Sequence, residues 1–386
     1  MAPERPRRLW GILLAGLLCA AGARHACAQA TFTPLGDLPG GKFMSAALGV
    51  SADGSTVVGY GGGADGPQAF RWTAGGGMVG IGQLPSGGTE SYANGVSADG
   101  SVVVGQGRRP GVEEAFRWTA ASGMAGLGDL PGGAALSLAR GVSGDGSVVV
   151  GRSDSSSGPE AFRWTPGAGM AGIGDLAGGP FVSEAHGVSA DGAVVVGEGW
   201  SGPESLEAFR WTAAGGMKGL GDMPGGSFQS TASAVSADGL VVVGRSESAL
   251  GLEAFRWTVD GGMSGFGRLP GGRESTAHGV AGDGSVVVGG GETATGFAAF
   301  FWTEATGMVN LRDFLIARGA GNLAGWELQS AQAVSADGRT VVGVGFNPAG
   351  QQEAWAATIP EPSTASLVAC VASACLVCKR RRTSNR

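Results

Sequence analysis

The sequence predicts an all-β fold: a seven-bladed β-propeller of four-stranded blades, closed by the N-terminal strand. Three observations carry that expectation. A unit typified by Gly95-Val96-Ser97-Ala98-Asp99-Gly100-Ser101-Val102-Val103-Val104-Gly105 recurs seven times, beginning at Gly49, Gly95, Gly141, Gly187, Ala234, Gly279 and Ala333. Each unit holds four short apolar stretches, and a spacing of roughly 40–50 residues with four strands is that of one propeller blade. Finally, one fourth-strand stretch is left over at the start of the repeat region, and one is missing at its end. A ring closes by pairing the two, so that no blade edge stays open. A β-solenoid is the alternative, although its ends would call for atypical polar capping repeats.

Within unit 2 the strands follow from local chemistry. Tyr92–Ser97 forms the first, and Asp99-Gly100 is expected to follow as a tight hairpin turn. Val102-Val103-Val104 is a β-branched run suited to a strand buried on both faces. In Glu114-Ala115-Phe116-Arg117-Trp118-Thr119, Phe and Trp point one way and Arg the other, with strand period two. Gly123–Leu130 is the fourth and ends at Pro131-Gly132-Gly133. The orphan at the start is Phe32–Gly41, and unit 7 stops after its third strand, Glu353–Thr358. The longest step precedes unit 7 and contains Leu311–Arg318, which lacks Gly until Gly319. It predicts a short surface helix that packs at the closure.

Composition limits the function classes. Gly (76) and Pro (17) make up about a quarter of 386 residues, yet they recur at fixed offsets beside Val-Val-Val and Phe-Arg-Trp, so they mark turns and not disorder. The five cysteines, Cys19, Cys27, Cys370, Cys375 and Cys378, all lie outside 31–358. The repeat region therefore has no thiol for a disulfide framework or a zinc site. It carries 17 Lys and Arg against 30 Asp and Glu, which argues against binding to nucleic acid or to anionic membrane surfaces.

The chain divides into 1–30, 31–358 and 359–386. Arg5, Arg7 and Arg8, the uncharged run Leu9–Ala23 and the small residues Ala26-Cys27-Ala28-Gln29-Ala30 have the order of a secretory signal peptide. After Thr358 come Pro360-Glu361-Pro362, an uncharged run ending at Cys378, and Lys379-Arg380-Arg381-Arg382. The basic cluster would stay cytoplasmic and leave the body outside, making the tail a membrane anchor or transient stop.

Two resemblances attach to these residues. The tail resembles the PEP-CTERM sorting signal of Gram-negative bacteria and planctomycetes, which implies an exosortase-like partner and removal of the tail. The units, through Ala-Phe-Arg-Trp-Thr and Gly-Val-Ser-Ala-Asp-Gly, resemble the HAF family of extracellular repeats over nearly all of 31–358. The family's His-Ala-Phe signature is altered here: Gln68, Glu114, Glu160, Glu207, Glu253, Ala298 and Glu353 stand where it has His. Neither resemblance implies a catalytic residue. Together they imply a secreted or cell-surface protein, transiently anchored by its tail.

Candidate binding residues are sought where the repeats differ. The second-to-third connections, 60–68, 106–113, 152–159 and 198–206, read as variable loops on one face with the Leu-Pro-Gly-Gly connections, and such loops are where recognition sits on a rigid scaffold. Arg108, Arg109, Trp200 and Glu204 are their conspicuous side chains. His186 and His278 occupy one column with Leu48, Asn94, Arg140, Ser233 and Gln332, placed at the channel mouth if first strands are innermost. Two histidines without a third ligand make a poor metal site, and no Ser-His-Asp or Cys-His set can be assembled. The seven Asp-Gly aspartates read as turn residues. The arginines of Phe-Arg-Trp are expected to pair with an acidic neighbour or stack on an aromatic. No cofactor is expected. The leading expectation is a non-enzymatic binding or structural module, with extracellular polysaccharide or an envelope component as its partner. The alternatives are a lyase- or glycosidase-type enzyme using paired channel carboxylates, and a spacer or self-assembling scaffold.

Overall fold

The computed structural model describes residues 29–360 except Ser86, and the repeat body is the compact unit Ala30–Ile359. The leader, and the tail from Glu361 and Pro362 onward, lie outside the described residues, so the two sorting-segment expectations do too; Pro360 is the last residue described.

Seven four-stranded antiparallel blades form the body. Their innermost strands are Gly40–Val50, Glu90–Val96, Gly132–Val142, Ser183–Val188, Gly225–Val235, Ser275–Val280 and Glu327–Val334. Neighbouring innermost strands touch all the way round, the seventh against the first. In the seventh blade the outer strand is Thr31–Gly36, paired antiparallel with Gln352–Thr358 from Thr31 opposite Thr358 to Gly36 opposite Ala354. The leftover first stretch thus supplies the missing last one. That pairing closes the ring and excludes the solenoid.

A second closure runs through the backbone at the turns between first and second strands. The N–H of Ala52 donates to the carbonyl of Ala98, Ala98 to Gly144, Gly144 to Ala190, Ala190 to Ala237, Ala237 to Gly282, Gly282 to Ala336, and Ala336 back to Ala52, all at 2.9–3.0 Å. Only Ala and Gly occupy these positions, where a longer side chain would crowd the neighbouring turn. The turn itself differs from the two-residue hairpin expected. Ser97 N–H bonds the Val102 carbonyl across four intervening residues. Ser97 Oγ donates to Asp99 Oδ1 (2.7 Å) and accepts the Val102 N–H (2.9 Å), while Gly100 takes φ 72°. The aspartate caps its own turn, as expected.

Burial follows the repeat. Val103, Val104 and Phe116 are fully buried, as are their counterparts around the ring, with Trp355 in the Phe position of blade 7. Each apolar cluster lies between two adjacent blades: Val58 and Ala69 of blade 1 pack with Ala93, Val103 and Phe116 of blade 2. The helix, Leu311–Ala317, begins at Asn310, whose side chain accepts the Asp313 N–H. It buries Leu311, Phe314 and Leu315 in the cluster holding Phe32, Trp326 and Trp355, so the helix packs at the closure.

Two repeat columns acquire structural roles that their chemistry had not suggested. Arg71 Nε donates to the Gly100 carbonyl (3.3 Å), Arg117 Nε to Gly146 (3.4 Å) and Arg210 Nη2 to Gly239 (3.4 Å). These arginines reach the next blade's turn backbone instead of the acidic or aromatic partner expected. Glu114, Glu160, Glu207 and Glu253 each accept the N–H of the outer-connection glycine 14 residues on, and Glu353 accepts that of Gly36. These five glutamates therefore pin the connection to its blade.

Candidate functional site in the channel

The second-to-third connections are not loops. Strand pairing continues almost to their tips, leaving two-residue turns such as Pro110-Gly111 between Val102–Arg109 and Val112–Thr119. Arg108 therefore stands on a strand, 53% exposed, paired to Glu90 (3.1 Å) and Glu113 (3.6 Å). Arg109 pairs with Glu114 at 2.8 Å. Both border a groove of about 460 Å³ with Ala134–Leu136 of the next blade. Trp200 is half-buried on Val194–Gly202, against the backbone of Gly179, and Glu204 is exposed at the turn that follows. The structure does not bring Trp200 or Glu204 to the two arginines; the two pairs sit on different hairpins.

The histidine column has a local cause. In every blade the innermost strand carries a β-bulge at this position: the pairing steps from Ala47 to Gly49, Ala93 to Gly95, Ala139 to Gly141, Ala185 to Gly187, Ala232 to Ala234, Ala277 to Gly279 and Ala331 to Ala333. The bulged residues are Leu48, Asn94, Arg140, His186, Ser233, His278 and Gln332. A bulge re-aims one side chain without breaking the ladder. All seven are half-exposed, each directly after a fully buried alanine, where the innermost strands converge on the channel. The bulge also explains the glycine closing Val-Val-Val-Gly: a Cβ on Gly105 would run into the Tyr92 carbonyl oxygen.

Blades 3 to 5 fill this column and its strand neighbours with charge. Arg140 Nε donates to Glu184 Oε1 of the next blade at 2.8 Å. Glu184 and Glu198 are register partners, and His186 lies between them, Nδ1 3.9 Å from Glu184 Oε1 and Nε2 3.9 Å from Glu198 Oε2. Thr231 Oγ1, on blade 5, donates to Glu198 Oε2 at 2.7 Å. Burial alone would raise the Glu198 pKa, but His186, the Thr231 hydroxyl and Arg245 outweigh it and hold the carboxyl below its ordinary value. On blade 6, His278 Nδ1 is 3.1 Å from the Ala331 carbonyl and 3.1 Å from Ser330 Oγ. Burial pushes His278 below its ordinary pKa, against the Ala331 contact that favours its charged form.

Blades 7, 1 and 2 present no charge at these positions. The chain's two tyrosines, Tyr60 and Tyr92, meet edge to face at 5.1 Å. Asn94 Nδ2 donates to Gln106 Oε1 (2.7 Å) and to the Ala139 carbonyl (2.8 Å). Tyr60, Gln106, Arg152, Glu198 and Arg245 are the residues that follow Val-Val-Gly or Val-Val-Val-Gly in successive units. That column was visible in the sequence, but its facing the bulged residues depends on register. Among the described residues no group of three or more His, Cys, Asp or Glu could hold a metal ion, and no helix is long and apolar enough to cross a membrane.

No protein-family model and no curated protein matches the sequence. Solved structures do. Oligogalacturonate lyase from Vibrio parahaemolyticus is similar at 10% identity over 86% of this chain and 94% of that one, with a TM-score of 0.57. A prolyl endopeptidase is similar at 10% identity over 82% of this chain and 50% of that one (TM-score 0.49). TolB from Acinetobacter baumannii is similar at 15% identity, covering 57% of this chain and 53% of TolB (TM-score 0.42). At such identities the first of these likenesses speaks to architecture alone, and the architecture is the β-propeller.

Proposed function

We propose that the protein is an exported, non-enzymatic β-propeller that binds extracellular polysaccharide or another envelope component at its channel. The observation that carries this reading is the channel lining: the paired tyrosines and the Asn94–Gln106 amides stand beside the charged residues of blades 3 to 5. Aromatic faces pack against sugar rings, and amides exchange hydrogen bonds with hydroxyls. The signal-peptide-like leader and PEP-CTERM-like tail put the body outside the cell, transiently held by the tail until an exosortase-like enzyme removes it. Retention of the protein on native matrix polysaccharide tests the binding. Retention lost in Tyr60→Ala and Tyr92→Ala is expected; no retention by the unsubstituted protein, while another envelope component is bound, removes polysaccharide from the proposal. Intact mass of the protein from its host tests the tail, and an unprocessed C-terminus counts against exosortase handling.

A second reading, a lyase or glycosidase, is favoured by one observation: Glu184 and Glu198 face each other across a strand pair. A general acid at neutral pH needs a raised carboxyl pKa, whereas Glu198 is held low. Glu184 and Glu198 are each already bonded, to Arg140 and Thr231. New reducing ends or unsaturated products from a polysaccharide substrate, abolished in Glu184→Gln, would replace the binding reading with this one.

A further inference from the structure

We infer that the channel selects saccharides bearing an oxyanion, a carboxylate or a sulfate, and that Arg245 is the residue that recognises it. This rests on the saccharide-binding reading above and names the ligand's charge. Arg245 follows Val241-Val242-Val243-Gly244 on the second strand of blade 5, opposite Thr231. It is exposed, and among the described residues it makes no hydrogen bond and no ion pair within 4.0 Å. Its register partner Thr231 bonds Glu198 of blade 4, which sets Arg245 beside the charged column of the channel, and its charge acts on both Glu198 and His278. The two glutamates there are already bonded: Glu184 by Arg140, and Glu198 by Thr231. Of the three channel arginines, Arg245 is the one that holds no carboxylate: Arg140 holds Glu184 and Arg152 holds Asp154.

Charge distribution sharpens the point. The body carries nearly two acidic residues for each basic one, yet the channel positions of blades 3 to 5 hold Arg140, Arg152 and Arg245 against two glutamates. An anion is thus repelled by the general surface and accepted at this place. A guanidinium presents a planar fork that matches a carboxylate two bonds at a time, and across from it the wall of tyrosines and amides, where the Tyr92 hydroxyl donates to Glu90, suits the sugar ring. A neutral saccharide would use the wall and leave Arg245 idle.

Titration calorimetry on the secreted full-length protein separates the cases. The probes are a hexuronate tetramer, a neutral hexose tetramer of the same linkage, and that neutral tetramer after sulfation. The expected result is tighter binding of both charged probes than of the neutral one by about 10- to 100-fold, the worth of a charge-assisted hydrogen bond, falling as salt rises. Arg245→Gln should erase that difference and leave the neutral tetramer's affinity and the unfolding midpoint unchanged. Arg245→Lys, a point charge without the fork, should hurt the hexuronate more than the sulfated probe if the carboxylate is the natural group, and both alike if it is the sulfate. Equal binding of charged and neutral tetramers, indifferent to Arg245→Gln, overturns the inference while leaving saccharide binding in place. Failure of all three probes to bind overturns the saccharide reading itself.

Discussion

Closure by the first strand makes Phe32 the side chain on which the ring's integrity can be tested. Phe32 is 6% exposed, its ring 5.0 Å from that of Trp326 in a T-shaped contact and 6.3 Å from that of Trp355. Cutting a buried Phe to Ala costs about 3–5 kcal/mol, the transfer term plus the cavity. The body spans Ala30–Ile359, and at about 2.1 cal/mol/K per residue its unfolding entropy is roughly 0.7 kcal/mol/K. Phe32→Ala should therefore lower the melting midpoint by about 4–7 °C. The control is Phe116→Ala, which removes the same ring from a fully buried place inside the ring of blades. If the strand Thr31–Gly36 is an integral part of one cooperative unit, both variants shift a single transition by similar amounts, read by near-ultraviolet circular dichroism against temperature. A Phe32→Ala midpoint within 1 °C of the unsubstituted protein, beside a large shift for Phe116→Ala, would mean that the first strand opens without unfolding the rest, and the closure argument would fail.

Three further outcomes follow from local geometry. Gly105→Ala drives a methyl group toward the Tyr92 carbonyl at the bulge and should cost about 1–3 kcal/mol in urea unfolding; a neutral change would mean that the bulge yields easily. His278, whose folded pKa lies below its ordinary value of 6.5, is neutral when folded and takes up a proton on unfolding, so its stabilising effect is full above that value and fades as pH falls below it. The urea midpoint should accordingly drop from pH 7 to pH 5.5, less steeply in His278→Gln, and identical slopes would remove His278 as the cause. The Asp145 carboxyl is lowered to about 2 by the Ser143 hydroxyl and by the N–H and hydroxyl of Ser147. Its contribution is complete above pH 4 and disappears as pH falls towards 2, so Asp145→Asn should flatten acid unfolding in that window alone.

The ring was legible because its period is written in residues that cannot be exchanged: Val-Val-Val for a doubly buried strand, Asp-Gly for the turn, and one surplus strand to close. The helix was legible from Leu311–Arg318 because that run holds no Gly until Gly319. Other features depend on register, which one strand's sequence does not specify. The segments 106–113 and 198–206 are rich in Gly and polar residues and read as loops, yet their backbones pair to the last two residues. The turn arginines find a backbone carbonyl of the next blade, a partner with no side-chain signature. The bulge leaves only an indirect trace, a column of dissimilar residues inside an otherwise uniform unit. His186 stands out in that column, whereas Glu184 and Glu198 do not, because only pairing brings them to either side of it.

Why the channel and not the rim should hold the site follows from what each column must do for the ring. Positions facing the next blade are fixed: Phe116 fills an interface, Ala98 carries the ring of turn hydrogen bonds, and Glu114 pins a connection. A bulged residue faces the one space that no blade interface fills, so seven equivalent positions are free to differ, and they range from Leu48 to Arg140. The rim is also free to differ, but Arg108 meets Glu90 in solvent, where an ion pair is worth about 0–1 kcal/mol. Arg140, half-exposed in the channel, is screened less, and leaving it without Glu184 would cost more. A guanidinium without a partner on the rim is unremarkable. One without a carboxylate in the channel, where Arg140 and Arg152 each hold one, marks the place where something else is meant to bind.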